Sequence, residues 1–216
     1  MITQKTSPQY LMQQQLLKML EMQDAMNAKV NSEWRAQGNA WYRAIWVECA
    51  EMLDHYGWKW WKKQQPDMPQ VILELVDIWH FGLSDLLQRE SHSGNLVEVL
   101  AFELTKPIAS PAPFREQLEV FVTQVLTHKR FDVPAFCQLM ASSSLSFEEL
   151  YLQYMGKNVL NFFRQDHGYK EGSYHKIWHG REDNEHLVEV LTMLDVGSST
   201  FQSDVYAALQ ERYPKD

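Results

Sequence analysis

Two acidic pairs in this chain share one spacing. Glu48-Cys-Ala-Glu51 and Glu74-Leu-Val-Asp77 each place carboxylates three residues apart, which on a helix puts both on one face. Their neighbours are apolar or aromatic: Ile45, Trp46, Val47, Met52 and Leu53 around the first pair, Val71 to Leu73, Leu75, Val76 and Ile78 around the second. Carboxylates set in apolar sequence face a steep desolvation cost unless something compensates them, and two converging pairs would also repel each other. A hard divalent cation removes both conflicts. Mg²⁺ takes oxygen ligands in octahedral geometry, keeps several waters and binds substrate phosphates, so the pattern points to phosphoanhydride hydrolysis. Two other readings compete with it. The acids can be solvated helix faces, or they can belong to a di-iron bundle, which needs Glu-x-x-His on two helices. Asp77-Ile-Trp-His80 echoes that motif once, and no second copy follows Glu48 or Glu51.

A phosphate-bearing substrate also needs cations. The chain carries a net charge of −8, yet 157–181 is locally basic, with Lys157, Arg164, Lys170, Lys176 and Arg181. Lys157, Asn161 and Arg164 fall at i, i+4 and i+7, one narrow helical stripe, with Val159, Leu160, Phe162 and Phe163 on the other side. Arg164 can fork onto phosphate oxygens while Lys157 supplies a point charge. A solvated helix face would show the same stripe.

The elements that carry these residues read as helix after helix. Ser7-Pro8 opens a helix through Leu16, Leu20 and Met26. Ser32 caps a second one to about Tyr56, where Gly57 stops it. Asp67 caps a third from about Pro69 to Glu90. The Pro-rich segment 106–114 reads as a loop. Helices follow near 114–128, 133–142 and 146–166, the last with Ser146 and Glu149 at capping-box spacing. Residues 167–180 form a loop, and Ser199 with Gln202 starts a last helix to about Arg212. No alternating strand pattern persists. The expectation is all-α, a single-domain helical bundle over 1–216.

Composition narrows the function. The chain of 216 residues lacks the overall basic footprint of a nucleic-acid binder. It has no apolar run of membrane-spanning length. Its first residues lack a leader's basic-then-apolar layout. Cys49 and Cys137 cannot build a disulfide scaffold and read as reduced thiols. The expected location is cytoplasmic.

The pattern E-x-x-E, 22 residues, E-x-x-D resembles the motif of the all-α nucleoside triphosphate pyrophosphatases, which include MazG-like enzymes and the dimeric dUTPases. VECAEMLDHYGWKWWK (47–62) and ELVDIWHFGLSD (74–85) resemble the dimeric dUTPases in particular. So do KNVLNFFRQDHGYKEGSYHKIW (157–178) and EDNEHL (182–187). MQDAMN (22–27) is similar to the family's early Gln-x-x-Leu-Asn element, with Met26 in place of Leu. The resemblance covers roughly 15–90 and 150–190. The middle, about 91–145, matches little and reads as a lid, a dimer contact or plain packing.

The resemblance implies hydrolysis of dUTP to dUMP and pyrophosphate, and of dUDP to dUMP, by a homodimer, with attack at the β-phosphorus. Glu48, Glu51, Glu74 and Asp77 would hold two or more Mg²⁺ ions, and Glu48 would orient or deprotonate the attacking water. Lys157, Asn161, Arg164, Gln165, Tyr169, Lys170 and Lys176 would bind or position phosphates. Gln23 and Asn27, amides one turn apart that each carry a donor and an acceptor, would read uracil. Trp60, Trp61, His80 and Phe81 would complete the base and sugar pocket. Phe81 lies two turns beyond Glu74, where a ring would press on C2′ and disfavour a 2′-hydroxyl; plain core packing is the alternative for such a ring. A MazG-like pyrophosphatase for another nucleotide, and a non-catalytic nucleotide-binding helical protein, remain the rival readings.

Overall fold

The computed structural model describes residues 7–90, 93–108 and 111–214. Among them run nine helices: α1 (Pro8–Val30), α2 (Trp41–Tyr56), α3 (Met68–Arg89), α4 (Ser93–Leu104), α5 (Phe114–His128), α6 (Val133–Ser142), α7 (Phe147–Asp166), α8 (Asp183–Leu191) and α9 (Phe201–Arg212). A two-residue hairpin, β1 (Ile177–Trp178) and β2 (Arg181–Glu182), precedes α8. The architecture is an all-α bundle. Residues 1–6, most of the stretch read for a leader, lie outside the described residues.

Side-chain caps start four helices. Ser7 Oγ accepts from Tyr10 N (3.1 Å), Asp67 Oδ1 from Gln70 N (3.4 Å), Asp132 Oδ1 from Ala135 N (2.9 Å) and Ser146 Oγ from Glu149 N (3.1 Å). Each cap satisfies a donor the helix itself cannot. Gly57 closes α2 at φ +88°, and the Arg115 guanidinium of α5 holds its carbonyl oxygen.

Five features differ from the sequence expectation. The second helix begins at Trp41, not after Ser32, because Trp34 turns inward: it is 3% exposed and its indole N–H donates to Asp24 Oδ1 (3.0 Å). Gly38, at φ +60°, then reverses the chain. Helices α4 and α8 occupy segments for which no helix was expected. Within the expected loop 167–180, His179 and Gly180 both take positive φ (51° and 84°), the signature of a two-residue hairpin turn. That hairpin buries Trp178 completely and launches α8. The loop expected over 106–114 is non-helical at 106–108 and 111–113, with 109 and 110 outside the described residues. The last helix starts at Phe201 without a side-chain cap, so Ser199 does not serve Gln202 in that role.

One hydrophobic cluster draws residues from every helix. Trp79 sits inside it, fully buried, stacked on Phe136 (5.2 Å, 24°) and edge-on to Phe131 (6.0 Å, 71°). Its indole N–H donates to Met19 Sδ (3.4 Å). Ile78 and Trp79 thus anchor α3 in the core, while Asp77, His80 and Phe81 are left for the other side. A close approach fixes this helix. A Cβ at Gly82 would lie 2.8 Å from three atoms of the Phe131 ring, which is itself wedged among Trp79, Phe121 and Phe136. Gly82→Ala should therefore cost about 1–3 kcal/mol of folding stability by overpacking. Urea denaturation checks this, and an unchanged midpoint would contradict it.

Candidate active site

Helices α2 and α3 pack antiparallel. Trp41 at the start of α2 donates its indole N–H to Gln88 near the end of α3 (3.0 Å), while His55 near the end of α2 meets Glu74 near the start of α3 (3.5 Å). Between these contacts, Glu48, Glu74 and Asp77 bring carboxylate oxygens within 4.8 Å of one another. Glu74 is 5% exposed, and the other two are half-buried. Burial first, then the neighbouring charges of Asp77 and Glu74, pushes the Glu48 carboxyl up to about 9. Burial and Asp77 raise Glu74 as well, against the pull of Lys157. With all three ionised, the cluster would carry more negative charge than Lys157 offsets, and its donors are all oxygens. That donor set fits a hard divalent cation.

The cation stripe of α7 reaches the cluster in an unexpected way. Lys157 is no solvated cation: it is 1% exposed, with Nζ 2.8 Å from Asp77 Oδ2 and 2.8 Å from Asn184 Oδ1. Arg164 forks onto Asp183, Nε to Oδ2 at 2.8 Å and Nη2 to Oδ1 at 2.9 Å. Asp183 is fully buried, which alone would raise its carboxyl. Arg164 and the Tyr174 hydroxyl (2.8 Å) outweigh that and hold it below the ordinary range. Arg164 Nη1 makes one long bond, to Asn161 Oδ1 (3.3 Å).

Two cavities open here. One, of about 510 Å³, is lined by the carboxylates together with Lys157, Arg164 and Lys176. The other, of about 550 Å³, is lined by Gln23, Asn27, His80, Phe81, Asn161 and Gln165, among others. Glu48, Asp77, Arg164 and Tyr169 line both, so the cavities meet at these four side chains. Lys170 lines the second cavity, and its ammonium donates to the Val30 carbonyl oxygen (3.0 Å). Lys176 pairs with Glu182 (3.1 Å). In the second cavity, Phe81 stacks on Trp41 (6.2 Å, 28°). His80 is buried and stacks on Tyr154 (4.2 Å, 21°), and burial pulls its ring down to about 3, so it is neutral.

Some expected members lie elsewhere. Glu51 lines the carboxylate cavity but is exposed and stands outside the three-residue cluster. Trp60 and Trp61 line neither cavity. They are 90% and 58% exposed on the loop after α2, where Trp61 meets both Trp60 and Trp58 edge-on at 5.3 Å. Among the described residues, these rings pack on one another and not along either cavity. Other residues escaped the sequence reading. His55 was hidden one turn past Glu51, Asp183 and Asn184 lay in a motif without assigned roles, and Trp34 and Trp41 sat where a helix start was misplaced. Cys49 is buried, with its thiol pushed up by burial and by Glu48.

An all-α bundle that gathers buried oxygen donors beside fixed cations fits a divalent-cation-dependent hydrolase of a phosphate-bearing substrate. The family model described as dUTPase matches residues 15–169, most of the chain, and the protein belongs to the dUTPase family, all-α enzymes that hydrolyse dUTP to dUMP and pyrophosphate. The matched span holds all four acidic residues and runs through 91–145, where the sequence reading found little to compare. It ends before Lys170, Lys176 and the 182–187 motif. No curated protein matches the chain.

The raised carboxyls make a pH prediction. In the unfolded chain Glu48 and Glu74 ionise near 4.5. Their contribution to stability is therefore fully present below that value and is lost as pH rises toward about 9, the folded value of Glu48. A divalent cation binds the ionised form and reverses the loss. The gain in Tm on adding Mg²⁺ should be larger at about pH 8.5 than at about pH 6. Calorimetry in Mg²⁺ and in EDTA checks this, and a gain independent of pH would contradict it.

Proposed function

We propose that the two joined cavities hold dUTP end to end, triphosphate among the carboxylates and cations, uracil among the buried amides. The observation that carries this reading is the meeting of the cavities at Glu48, Asp77, Arg164 and Tyr169. An elongated ligand with an anionic end and a polar planar end needs that layout. Glu48, Glu74 and Asp77 would hold the divalent cation, Mg²⁺ by the hardness of the donors, with Glu51 at the rim available to a second ion. Such ions, when bound, polarise phosphate oxygens and lower the pKa of coordinated water.

The remaining work falls to side chains. Glu48, whose carboxyl is raised further than that of Glu74, orients the attacking water and takes its proton. Lys157 offsets the charge of Asp77, and Arg164, braced by Asp183, steadies charge on the leaving phosphates. Asn161, Gln165, Tyr169, Lys170 and Lys176 position the phosphate chain. Asn27 and His80 form the base end, with Gln23 bonded to both. The Phe81 ring rests against the sugar where a 2′-hydroxyl would sit. The same chemistry extends to dUDP.

The working protein is a cytoplasmic homodimer that takes a small-molecule substrate and no nucleic acid. The half-exposed Trp46 borders an apolar groove of about 320 Å³ between α2 and α5, and half-exposed Val47, Val120 and Leu126 lie on the same two helices, which supports a second copy as its cover. Among the described residues no helix is long and apolar enough to cross a membrane. Light scattering should return twice the chain mass, and a monomer at micromolar concentration would remove the dimer.

A panel of dUTP, dCTP, dTTP and UTP, with Mg²⁺ and again with EDTA, tests the function. We expect Mg²⁺-dependent release of dUMP and pyrophosphate from dUTP above all others; preference for another nucleotide would discard the uracil assignment. In the same assay Glu48→Gln should lower kcat at least about 100-fold with helicity intact, and near-normal turnover would remove Glu48 from the chemistry. Phe81→Ala should raise activity on UTP relative to dUTP, and an unchanged ratio would mean that the ring does not sense the sugar.

A further inference from the structure

Behind the second cavity lies a buried polar network in an apolar setting. Gln23, Asn27, His80, Ser84 and Tyr154 are all buried, and Ser84 is 0% exposed. Ser84 Oγ lies 2.9 Å from the His80 carbonyl oxygen one turn back along α3, 3.0 Å from Gln23 Nε2 and 2.9 Å from Asn27 Nδ2. Gln23 Nε2 also meets Asn27 Oδ1 (3.1 Å), and Gln23 Oε1 meets His80 Nδ1 (2.7 Å); the one hydrogen of the Tyr154 hydroxyl is shared between the Met19 carbonyl oxygen (2.8 Å) and Gln23 Oε1 (3.2 Å).

The proton directions in this network follow from one group. A carbonyl oxygen can only accept, so the single Ser84 hydrogen goes to the His80 carbonyl. Ser84 Oγ must then accept from both amides, and each amide must turn its NH₂ toward it. Gln23 now spends both amide hydrogens, on Ser84 and Asn27, and presents its oxygen to His80. Nδ1 of the neutral ring therefore carries the hydrogen and Nε2 is a bare acceptor. Nε2 is buried and has no partner among the described residues, while His80 lines the cavity. Asn27 keeps one Nδ2 hydrogen that no group in the network uses, and it lines the same cavity.

We propose that Ser84 is the positioning residue that sets base specificity: through Gln23 it fixes His80 as an Nε2 acceptor beside an Asn27 donor, a pair that takes the N3–H and a neighbouring carbonyl of a pyrimidine imide. Cytosine places a lone pair at N3, where it faces the Nε2 lone pair. Thymine carries the same imide as uracil and is treated alike by this device; its methyl group must be rejected elsewhere. Gln23 accordingly orients the reader and does not itself touch the base. This inference rests on the proposed dUTP reading of the site, but its first test does not.

Long-range ¹H–¹⁵N correlation on the ligand-free full chain, with the ring signal assigned by a His80→Asn sample, reads the tautomer directly. Hydrogen on Nδ1 is the expected result. Hydrogen on Nε2 overturns the proposal whether or not the protein hydrolyses dUTP, and it needs no variant to fold. Ser84→Ala should give a mixture of tautomers. Its preference for dUTP over dCTP, as a ratio of kcat/KM, should fall at least about tenfold while its preference for dUTP over dTTP holds. A role in stability alone would move both ratios together or neither, and either of those results overturns the proposal. Absence of hydrolysis of every nucleotide by the wild type would instead overturn the proposed function and leave the tautomer to decide this inference.

Discussion

Three carboxylates held within 4.8 Å of one another between two apolar helices are the constraint around which the rest of the protein is arranged. Neither burial nor mutual repulsion favours their ionised forms, and the raised carboxyls of Glu48 and Glu74 express that conflict. The protein answers it in part. The buried Lys157 ammonium bonds Asp77 and, on its other side, Asn184, so one cation joins α3, α7 and α8 at the point of greatest negative charge. A buried charge lacking such partners would be costly, which explains why α8 must dock where it does. The remaining excess of negative charge is what a divalent cation and its phosphate ligands can balance.

Helix α3 carries this logic from one end of the site to the other. Glu74, Asp77, Phe81, Ser84 and Gln88 recur every three or four residues, one stripe running from the carboxylate cavity to the amide cavity. The residues between them, Val76, Ile78, Trp79 and Leu83, are buried in the core. Because Gly82 lets the helix close on Phe131, the opposite stripe is left facing the cavities. In the proposed binding mode the helix meets charge, then sugar, then base, the order of groups along a nucleoside triphosphate.

Much of this was legible in the sequence. Acidic pairs at i, i+3 in apolar surroundings, together with Ser, Asp and Pro at helix starts, are local signals, and α1, α3, α5, α6 and α7 all follow them. What was illegible depends on tertiary contact. Trp34 prevents an early start of α2 only because Asp24 is there to receive its indole. Lys157 looks like a surface cation until Asp77 and Asn184 enclose it. Trp60 and Trp61 look like pocket walls because aromatic side chains pattern alike whether they face a ligand or solvent. Ser84, with an ordinary place in a helix, gains meaning only from the two amides that reach it from α1. The hairpin left a trace, His179-Gly180, too short for any periodicity to reveal.

The proposed function requires that the carboxylate and amide cavities form one site for one nucleotide. A crystal structure of the full chain with Mg²⁺ and a non-hydrolysable imido analogue of dUTP tests it most directly. The expected result is metal on Glu48, Glu74 and Asp77, phosphates toward Arg164, and uracil against Asn27 and His80. A base seated among the carboxylates, or metal bound away from them, would contradict it.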